Sequence, residues 1–357
     1  MSFLNLKNYY QFMKRLVWIG VFLIICYVFT ISFFRRASYT IQTEGILYIV
    51  NKLGSTVTVF DLCQGIEITE LPIDVPPREI ATILNPKKVV VTNYGSENIE
   101  GKSISLINTE SNTIEKIIDV SDSPRPHGII PFDKANKVGV VTGKGNHLLV
   151  IDSSTGVTEK KIPTEQIASH HLVKHPNKSI VYVTNMISHS ITVIDYSIGS
   201  IIENIPCGLS TEGIDITPDG TEIWVANYKE NTISVLNTDT YQITNIIPTG
   251  KESFRVKFSL EGFYCLVTSA GDGTITIYDR FSKKKVKKII IPGKSNIIER
   301  ILYHTPRPVG IYMHPNGLYA FVANSNANKV EVVDMKSFEL VGRIDTGKVP
   351  DAITLVD

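Results

Sequence analysis

The chain has 357 residues, with 36 lysines and arginines against 35 aspartates and glutamates, so its formal net charge is +1. This balance argues against broad electrostatic binding of nucleic acid or of a membrane surface, which usually needs a strong basic excess. Apolar residues make up 43% and charged residues 20% of the chain, which excludes a disordered protein. The four cysteines lie far apart, and no pair has the spacing of a zinc module or a disulfide framework.

The first predicted element is an apolar segment over residues 16–34, which contains no charged side chain. At about 1.5 Å per residue a helix of this length spans roughly 28 Å, close to the hydrocarbon core of a bilayer. Positive charges flank the segment on both sides, with slightly more on the N-terminal side. The sequence therefore predicts a short cytoplasmic tail over residues 1–15, a transmembrane anchor over 16–34, and the rest of the chain on the periplasmic or extracellular side.

Two other interpretations of this segment remain open, a cleaved signal peptide and a lipid-modified Cys26. Cleavage needs small residues at the junction, and Phe33 to Arg36 do not provide them. Lipid attachment is disfavoured because Ile25 precedes Cys26 and the apolar run continues past it. An uncleaved anchor, which would bring the protein to the membrane, fits the residues better than either alternative.

A repeat follows the anchor, consisting of an apolar strand, a polar turn and an alternating strand that ends in Asp or Asn. It recurs seven times, and four of the six spacings between its anchor residues are 42 residues. The anchors are Asn51, Asn93, Gly143, Asn185, Asn227, Ser269 and Asn324. Each copy contains four short strands, which is typical of a β-propeller blade.

The ends of the repeat predict how the ring closes. The chain enters at a second strand, ILYIVN over 46–51, and leaves after a first strand over 351–356. The C-terminal strand should therefore complete the N-terminal blade and remove the open sheet edges. We predict an all-β, seven-bladed β-propeller over residues 46–357, joined to the anchor by a tether over 35–45.

The phrases VYVTN (181–185) with ITVID (191–195), and IWVAN (223–227) with ISVLN (233–237), resemble the YVTN-type repeat of YncE-like and surface-layer propellers. The resemblance covers nearly all of 46–357, and the third and sixth copies depart from it at Gly143 and Ser269. No Trp-Asp dipeptide closes a strand, which disfavours the WD repeat. Single-stranded DNA binding has been proposed for YncE-like proteins, but the charge balance here does not support a nucleic-acid partner.

The first strand of each blade lines the central channel of a propeller, and it begins on the face that also carries the turn after each anchor. We call this the mouth face. Two insertions, Ser96–Lys102 and Gly293–Thr305, fall on it, and the second could contain a short helix. The turns between first and second strands lie on the opposite face, and so do the turns between third and fourth strands.

Aligning the first strands gives a column of residues at the mouth: Arg78, His127, His170, Glu212, Phe254, Val309 and Asp351. The next position contributes Glu79, His171 and Arg255, and the preceding segments supply Arg125 and Arg307. We predict a water-filled funnel of mixed charge that binds a ligand. Its candidate binding residues are Arg78, His127, His170, His171, Glu212, Arg255, Arg307 and Asp351.

Six of the eight histidines fall on the mouth face, namely His127, His147, His170, His171, His189 and His304. Imidazoles converging from neighbouring blades could bind a transition metal or haem, with His127, His170 and His171 as candidate ligands. His147 and His189 lie farther from the axis and need not join them. His175 and His314 sit in His-Pro turns on the opposite face and are interpreted as structural.

The leading hypothesis is a membrane-anchored, extracytoplasmic scaffold that binds a small molecule or a protein partner at the mouth without catalysis. One alternative is an oxidoreductase or a propeller that handles metal or haem, because similar rings occur in amine dehydrogenase heavy chains, nitrous oxide reductase and the haem domain of dihaem nitrite reductase. A lactonase-like hydrolase is a further alternative that rests on the fold alone. The basic run Lys283–Lys288 is interpreted as a solvated edge.

Overall fold

The computed structural model describes residues 10, 13–22, 39, 41, 43–84, 87–132, 136–293 and 306–357. Within these ranges the chain forms seven antiparallel sheets of four strands each, which confirms the all-β, seven-bladed propeller. Each sheet is one blade, and the blades are numbered one to seven along the chain. The predicted strand positions agree with the observed ones to within about two residues, except that the third strand of blade two begins at Glu100, inside the predicted insertion.

Each strand has definite bounds. Blades one to three contain β1 (Ile46–Asn51), β2 (Thr56–Asp61), β3 (Ile66–Pro72), β4 (Ile80–Leu84), β5 (Lys87–Gly95), β6 (Glu100–Asn108), β7 (Thr113–Asp119), β8 (Pro126–Pro131), β9 (Lys137–Thr142), β10 (His147–Asp152) and β11 (Thr158–Pro163). Blades four and five contain β12 (Ser169–Lys174), β13 (Ile180–Asn185), β14 (Ser190–Asp195), β15 (Ser200–Pro206), β16 (Thr211–Ile216), β17 (Glu222–Asn227), β18 (Thr232–Asn237) and β19 (Ile243–Pro248). Blades six and seven contain β20 (Ser253–Phe258), β21 (Tyr264–Ser269), β22 (Thr274–Asp279), β23 (Lys285–Ile290), β24 (Pro308–Met313), β25 (Tyr319–Asn324), β26 (Lys329–Asp334) and β27 (Glu339–Asp345).

The last strand, β28 (Pro350–Val356), closes the ring as predicted. It pairs antiparallel with β1, with Leu355 opposite Leu47 and Thr354 opposite Tyr48. The order of strands in blade one is therefore β28-β1-β2-β3. Blade two packs against this junction, and Thr82 donates a hydrogen bond of 2.8 Å to the carbonyl of Leu355. The first and last strands of the repeat are thus joined by the same antiparallel backbone pairing as neighbouring strands within the other blades.

The core lies between neighbouring blades. Val57 and Val59 of blade one pack against Val89 and Val91 of blade two, and all four are fully buried. Comparable clusters fill the other interfaces described. Burying one such side chain contributes about 1.5–3 kcal/mol to folding, so the repeated Val and Ile positions hold the ring together.

Four of the five anchor asparagines satisfy hydroxyl groups of their own blade, and the fifth, Asn324, donates to the Glu331 carboxylate instead. The side-chain amide of Asn227 donates hydrogen bonds of 2.9 Å to Thr232 and 2.9 Å to Ser234, five and seven residues later. The same pattern recurs at Asn51, Asn93 and Asn185. An amide has enough donors to reach two partners, whereas a serine does not. The anchor Asn therefore stabilises the turn between the second and third strands.

The Asp or Asn that ends each third strand has a different task. Asp195 Oδ1 accepts hydrogen bonds from the backbone N–H groups of Ser197 at 2.8 Å and Ile198 at 3.4 Å. Asn237 accepts from Asp239 and Thr240 in the same way. A short acceptor of this kind favours a tight turn, which explains why these two residue types recur there.

The N-terminal segment is described only in part. Residues 13–22 are helical, and residues 23–34 of the predicted anchor lie outside the described residues. Among the described residues, no helix has both the length and the apolar character that crossing a bilayer demands. The transmembrane anchor is thus not supported by the structure and stays a prediction. In the second insertion, residues 294–305 lie outside the described part of the chain.

Candidate functional site at the channel mouth

A cavity of about 320 Å³ opens on the mouth face at the axis of the ring. All seven residues of the predicted column line it, and so do His171, Arg255 and Arg307. Every candidate binding residue taken from the sequence is therefore at this cavity, which we call the cup. Its volume lies at the lower end of the range for small-molecule pockets, about 300–1,000 Å³.

Threonines just before the anchors position the wall of the cup. Thr184 Oγ1 accepts from the N–H of His171 at 3.1 Å and donates to the carbonyl of Glu212 in the next blade at 2.8 Å. Thr92 and Thr268 make equivalent bonds to the carbonyls of His127 and Val309. These hydroxyls fix the spacing between neighbouring first strands, so the wall is held by the same repeat that builds the blades.

The floor of the cup is formed by Glu79, His171 and Arg255, which come from blades two, four and six. The Arg255 guanidinium contacts both the Glu79 carboxylate and the Nε2 atom of His171, and His171 Nδ1 lies 3.9 Å from Glu79. These contacts cross the channel and join three blades that are not neighbours. The channel is therefore blocked below the mouth by a charged layer.

Glycines on the alternate blades make this floor geometrically feasible. Gly128, Gly213 and Gly310 hold the equivalent position in blades three, five and seven. A Cβ atom at Gly213 would lie 2.4 Å from the carbonyl oxygen of Phe254, and one at Gly310 would lie 2.0 Å from that of Asp351. The absence of a side chain lets the next first strand approach closely.

Burial dominates the electrostatics of the floor. It raises the pKa of Glu79 to about 7, against the opposing effect of Arg255. Burial and the neighbouring Arg255 lower the pKa of His171 well below its usual value. His171 is consequently neutral at pH 7, and its Nε2 atom accepts a hydrogen bond from Arg255.

Three histidines meet above the floor. One nitrogen from each of His127, His170 and His171 lies within 4.8 Å of the others. The rings of His127 and His170 are 3.7 Å apart between centroids and tilted by 34°. Burial, with His170 next in importance, lowers the pKa of His127 strongly, and its Nδ1 atom is buried without a hydrogen-bond partner. The sequence left open whether these three candidate ligands meet, and the structure brings their nitrogens together.

His170 differs from the other two because a carboxylate faces it. Its Nδ1 atom lies 2.6 Å from Oε2 of Glu212, although the angles depart from those of an ideal hydrogen bond. Burial would raise the pKa of Glu212, but His170, Arg255 and Arg78 outweigh it and the pKa is lowered. Glu212 is therefore ionised at pH 7 and can hold the imidazole in one tautomer, with Nε2 left for a ligand.

Cationic side chains surround the histidines. Arg78 lies 3.6 Å from the Asp351 carboxylate, and Arg307 lies 3.0 Å from that of Glu252. Lys52 also lines the cup, and its pKa is lowered by burial and by Arg78. Tyr94 lies between the guanidinium groups of Arg78 and Arg125, at 4.9 Å and 5.1 Å, and its ring edge meets His127.

The remaining histidines do not join this cluster. His147 lies 3.5 Å from Ser123, and His189 Nδ1 accepts the N–H of Ser210 at 3.0 Å. His175 and His314 hold turns on the opposite face, where His314 also lies 3.0 Å from Thr43. His304 lies outside the described residues.

Sequence reasoning missed two groups at the cup. Lys52 and Tyr94 line it from the turns after the anchors, and the three glycines permit the floor. The glycines were detectable, because they alternate with Glu79, His171 and Arg255 in the aligned first strands. Lys52 and Tyr94 each follow an anchor directly. Other residues in that position do not reach the axis, so the position alone did not identify these two as lining the cup.

Residues 132–357, more than half of the chain, match the family described as "Cytochrome D1 heme domain". The chain belongs to this family. The match covers blades four to seven, most of blade three and the closing strand, and it includes His170, His171 and Glu212. No curated protein sequence is significantly similar to the chain.

Two solved structures of other proteins have the same fold as this member of the cytochrome D1 haem domain family. Hydrazine synthase of Kuenenia stuttgartiensis aligns with a TM-score of 0.66 and 17% identity, covering 83% of this chain and 97% of its own. A functionally unknown protein of Desulfotomaculum acetoxidans aligns with a TM-score of 0.69 and 15% identity, covering 87% and 99%. The YVTN-type resemblance and the lactonase hypothesis stay predictions.

Proposed function

We propose that the cup binds an iron tetrapyrrole of the haem type, whose iron His170 would hold, and that the protein acts in oxidation–reduction or haem handling. The observation that carries this proposal is the Glu212–His170 pair inside a member of the cytochrome D1 haem domain family. It favours the oxidoreductase alternative over the membrane-anchored scaffold, which the comparisons do not support.

The donor set fits a haem. A metal-bound histidine commonly places its second ring nitrogen against a carboxylate, which fixes the ring and raises the basicity of the ligating nitrogen. Glu212 does this for His170, and its lowered pKa keeps it charged. The buried Nδ1 atom of His127, which lacks a hydrogen-bond partner, is a further polar group directed into a site that a cofactor would complete.

Cationic side chains at the cup suit an anionic cofactor. Lys52, Arg78, Arg255 and Arg307 line the cup, and the three arginines contact Asp351, Glu79 and Glu252. The same groups would pair with the carboxylates on the edge of a haem, which guanidinium groups bind in a bidentate manner. Haem iron would supply one-electron transfer and a position for a small ligand.

The chain's own residues prepare the site. Glu212 orients His170, and burial keeps His127 neutral beside it. Arg255 occupies the Nε2 atom of His171, which removes that nitrogen from the set of free ligands. His170 is therefore the histidine best prepared to bind iron.

The convergence of three histidine nitrogens within 4.8 Å favours a second candidate, a mononuclear transition-metal centre. The contact between Arg255 and His171 opposes it, because the guanidinium competes for that nitrogen. Cobalt(II) is a suitable probe, since its visible absorption reports the number and type of its ligands.

The experiment is a titration of the purified full chain with ferric haem d1 and, in parallel, with hemin, followed by absorption spectroscopy. We expect a shifted Soret band with saturable binding, and a loss of affinity of at least about tenfold in His170→Ala. His147→Ala is the matched control, since that histidine is on the mouth face but outside the cup. The proposal would be overturned if neither haem binds, or if His170→Ala binds haem with an unchanged spectrum. Binding of cobalt(II) without haem would support the second candidate.

A further inference from the structure

Four apolar side chains are exposed on the opposite face of blades six and seven. They are Leu260 at 44%, Phe263 at 52%, Phe281 at 67% and Leu318 at 55% exposure. The rings of Phe263 and Phe281 are 6.1 Å apart, and Leu260 reaches the turn that contains Gly317. Neighbouring turns therefore bring these side chains into one surface, which we call the apolar patch. Contiguous exposed apolar residues of this kind mark interaction sites.

Lysines border the apolar patch. Lys284 and Lys285 follow Phe281 in the same turn and are exposed, and Lys336 is exposed in the adjacent turn of blade seven. The acidic residues nearby are partly occupied: Asp279 accepts the N–H of Ser282, and Asp334 accepts that of Lys336. Glu261 and Asp219 are exposed acidic side chains beside the patch, and Asp219 lies 2.7 Å from Arg280. The basic run that the sequence suggested as a solvated edge thus lies beside large apolar side chains.

The N-terminal segment joins the ring next to this patch. Thr43 lies 3.0 Å from His314 and accepts a hydrogen bond of 3.0 Å from Asn316. Leu318 is two residues farther along that same turn. Tyr39 packs edge-on against Phe60 at 5.3 Å, also on the opposite face. The described residues just before the first strand therefore contact the ring on the face that carries the patch.

We infer that the opposite face of blades six and seven lies against an anionic lipid surface, with the apolar patch entering the headgroup region and Lys284, Lys285 and Lys336 facing the lipid phosphates. Apolar side chains surrounded by lysines are the chemistry that such a surface selects. The patch and the contacts of Tyr39 and Thr43 with the ring lie on the same face. This inference is independent of the haem proposal, and it points the cup away from the bilayer.

The surface is tested in the full chain by the position of an added tryptophan relative to lipid. In a Trp18→Phe background, Phe281→Trp reports from the patch and Ile187→Trp from the mouth face, where Ile187 is 56% exposed. The Trp18→Phe protein itself gives the emission of the buried Trp224, which is subtracted. The protein is mixed with vesicles that contain brominated lipid and about 30% phosphatidylserine. We expect Phe281→Trp to lose about half of its added emission, whereas Ile187→Trp keeps its own.

A charge-reversed variant shows whether the lysines contribute. Lys284→Glu combined with Lys285→Glu should reduce the quenching of Phe281→Trp to the level seen with neutral phosphatidylcholine vesicles. The inference fails if Ile187→Trp is quenched as strongly, if vesicle-bound Phe281→Trp is not quenched, or if the protein does not bind the vesicles. A lipid-free dimer that Phe281→Ser dissociates would instead assign the patch to a second copy of the chain. The haem titration reads the other face, so its failure is separable from failure here.

Discussion

Nδ1 of His170 and Oε2 of Glu212 lie 2.6 Å apart, and the two residues begin the first strands of neighbouring blades. The contact therefore couples the orientation of a candidate iron ligand to the packing of blade four on blade five. The carbonyl of Glu212 is held in turn by Thr184, so the carboxylate is attached to the repeat itself.

Replacing this carboxylate tests the proposed role of Glu212 as a positioning residue. Glu212→Gln keeps the shape but removes the charge, so haem affinity should fall by about 10- to 100-fold. The midpoint potential of bound haem should rise, because the axial imidazole becomes less basic. Spectroscopic titration and redox potentiometry measure both effects. Glu165→Gln, an exposed residue of the loop before β12 that does not line the cup, is the control and should leave the potential unchanged.

The sixth blade offers a stabilising substitution. Ser269 replaces the anchor Asn there, and its hydroxyl and that of Thr274 are buried without a partner. Ser269→Asn should supply the missing donors and raise the free energy of unfolding by about 1 kcal/mol. Gly250 leaves room, since it lies against Ser269 as Gly208 lies against Asn227. Urea denaturation provides the measurement.

The matched reverse change is Asn227→Ser in blade five, which removes two hydrogen bonds of 2.9 Å. It should lower the free energy of unfolding by about 1–3 kcal/mol, because Thr232 and Ser234 lose their donor. If both substitutions shift stability in the same direction, the role assigned to the anchor is wrong.

Close approach of the first strands predicts the effect of adding one methyl group. In Gly213→Ala the Cβ would meet the backbone of Phe254 and Arg255 at 2.4 Å and 2.7 Å, so the two blades must separate. We expect a loss of about 1–3 kcal/mol in thermal or chemical unfolding, together with weaker haem binding. Gly143→Ala is the control, since its Cβ would have no neighbour closer than 3.6 Å. Equal stability of the two variants would contradict the packing argument.

Glu331 predicts a pH dependence that is remote from the cup. It takes the place of an anchor-bound hydroxyl in blade seven, 3.1 Å from Asn324, and burial raises its pKa. The folded state therefore binds a proton more tightly than the unfolded state. This contribution is fully present below the ordinary glutamate pKa and is lost as the pH rises through the folded value.

Glu331→Gln should consequently stabilise the protein at pH 8 and have little effect at pH 4, since the amide oxygen still accepts from Asn324. Thermal melts of both proteins across this range give the difference. Glu339→Gln, an exposed residue of the same blade, should show no such trend. A constant difference between wild type and Glu331→Gln at every pH would refute the assignment.

The fold was accessible from the sequence because the repeat specifies both register and closure. Aligned anchors placed Arg78, His127, His170 and Asp351 at one mouth, since residues at equal positions of a propeller share a height and a radius. The contact of Arg255 with Glu79 was not accessible. It joins blades six and two across the axis, and a repeat specifies neighbours along the ring but not partners across it.

The alternation of glycine with large charged residues at the floor has a consequence for the ring as a whole. Seven is odd, so two residue types cannot alternate around it without one mismatch. The mismatch falls at blade one, where buried Ala352 stands between Gly310 and Glu79. The floor therefore has three large side chains, from blades two, four and six, in a ring of seven blades. The alternation fails at blade one, the blade in which β28 pairs with β1.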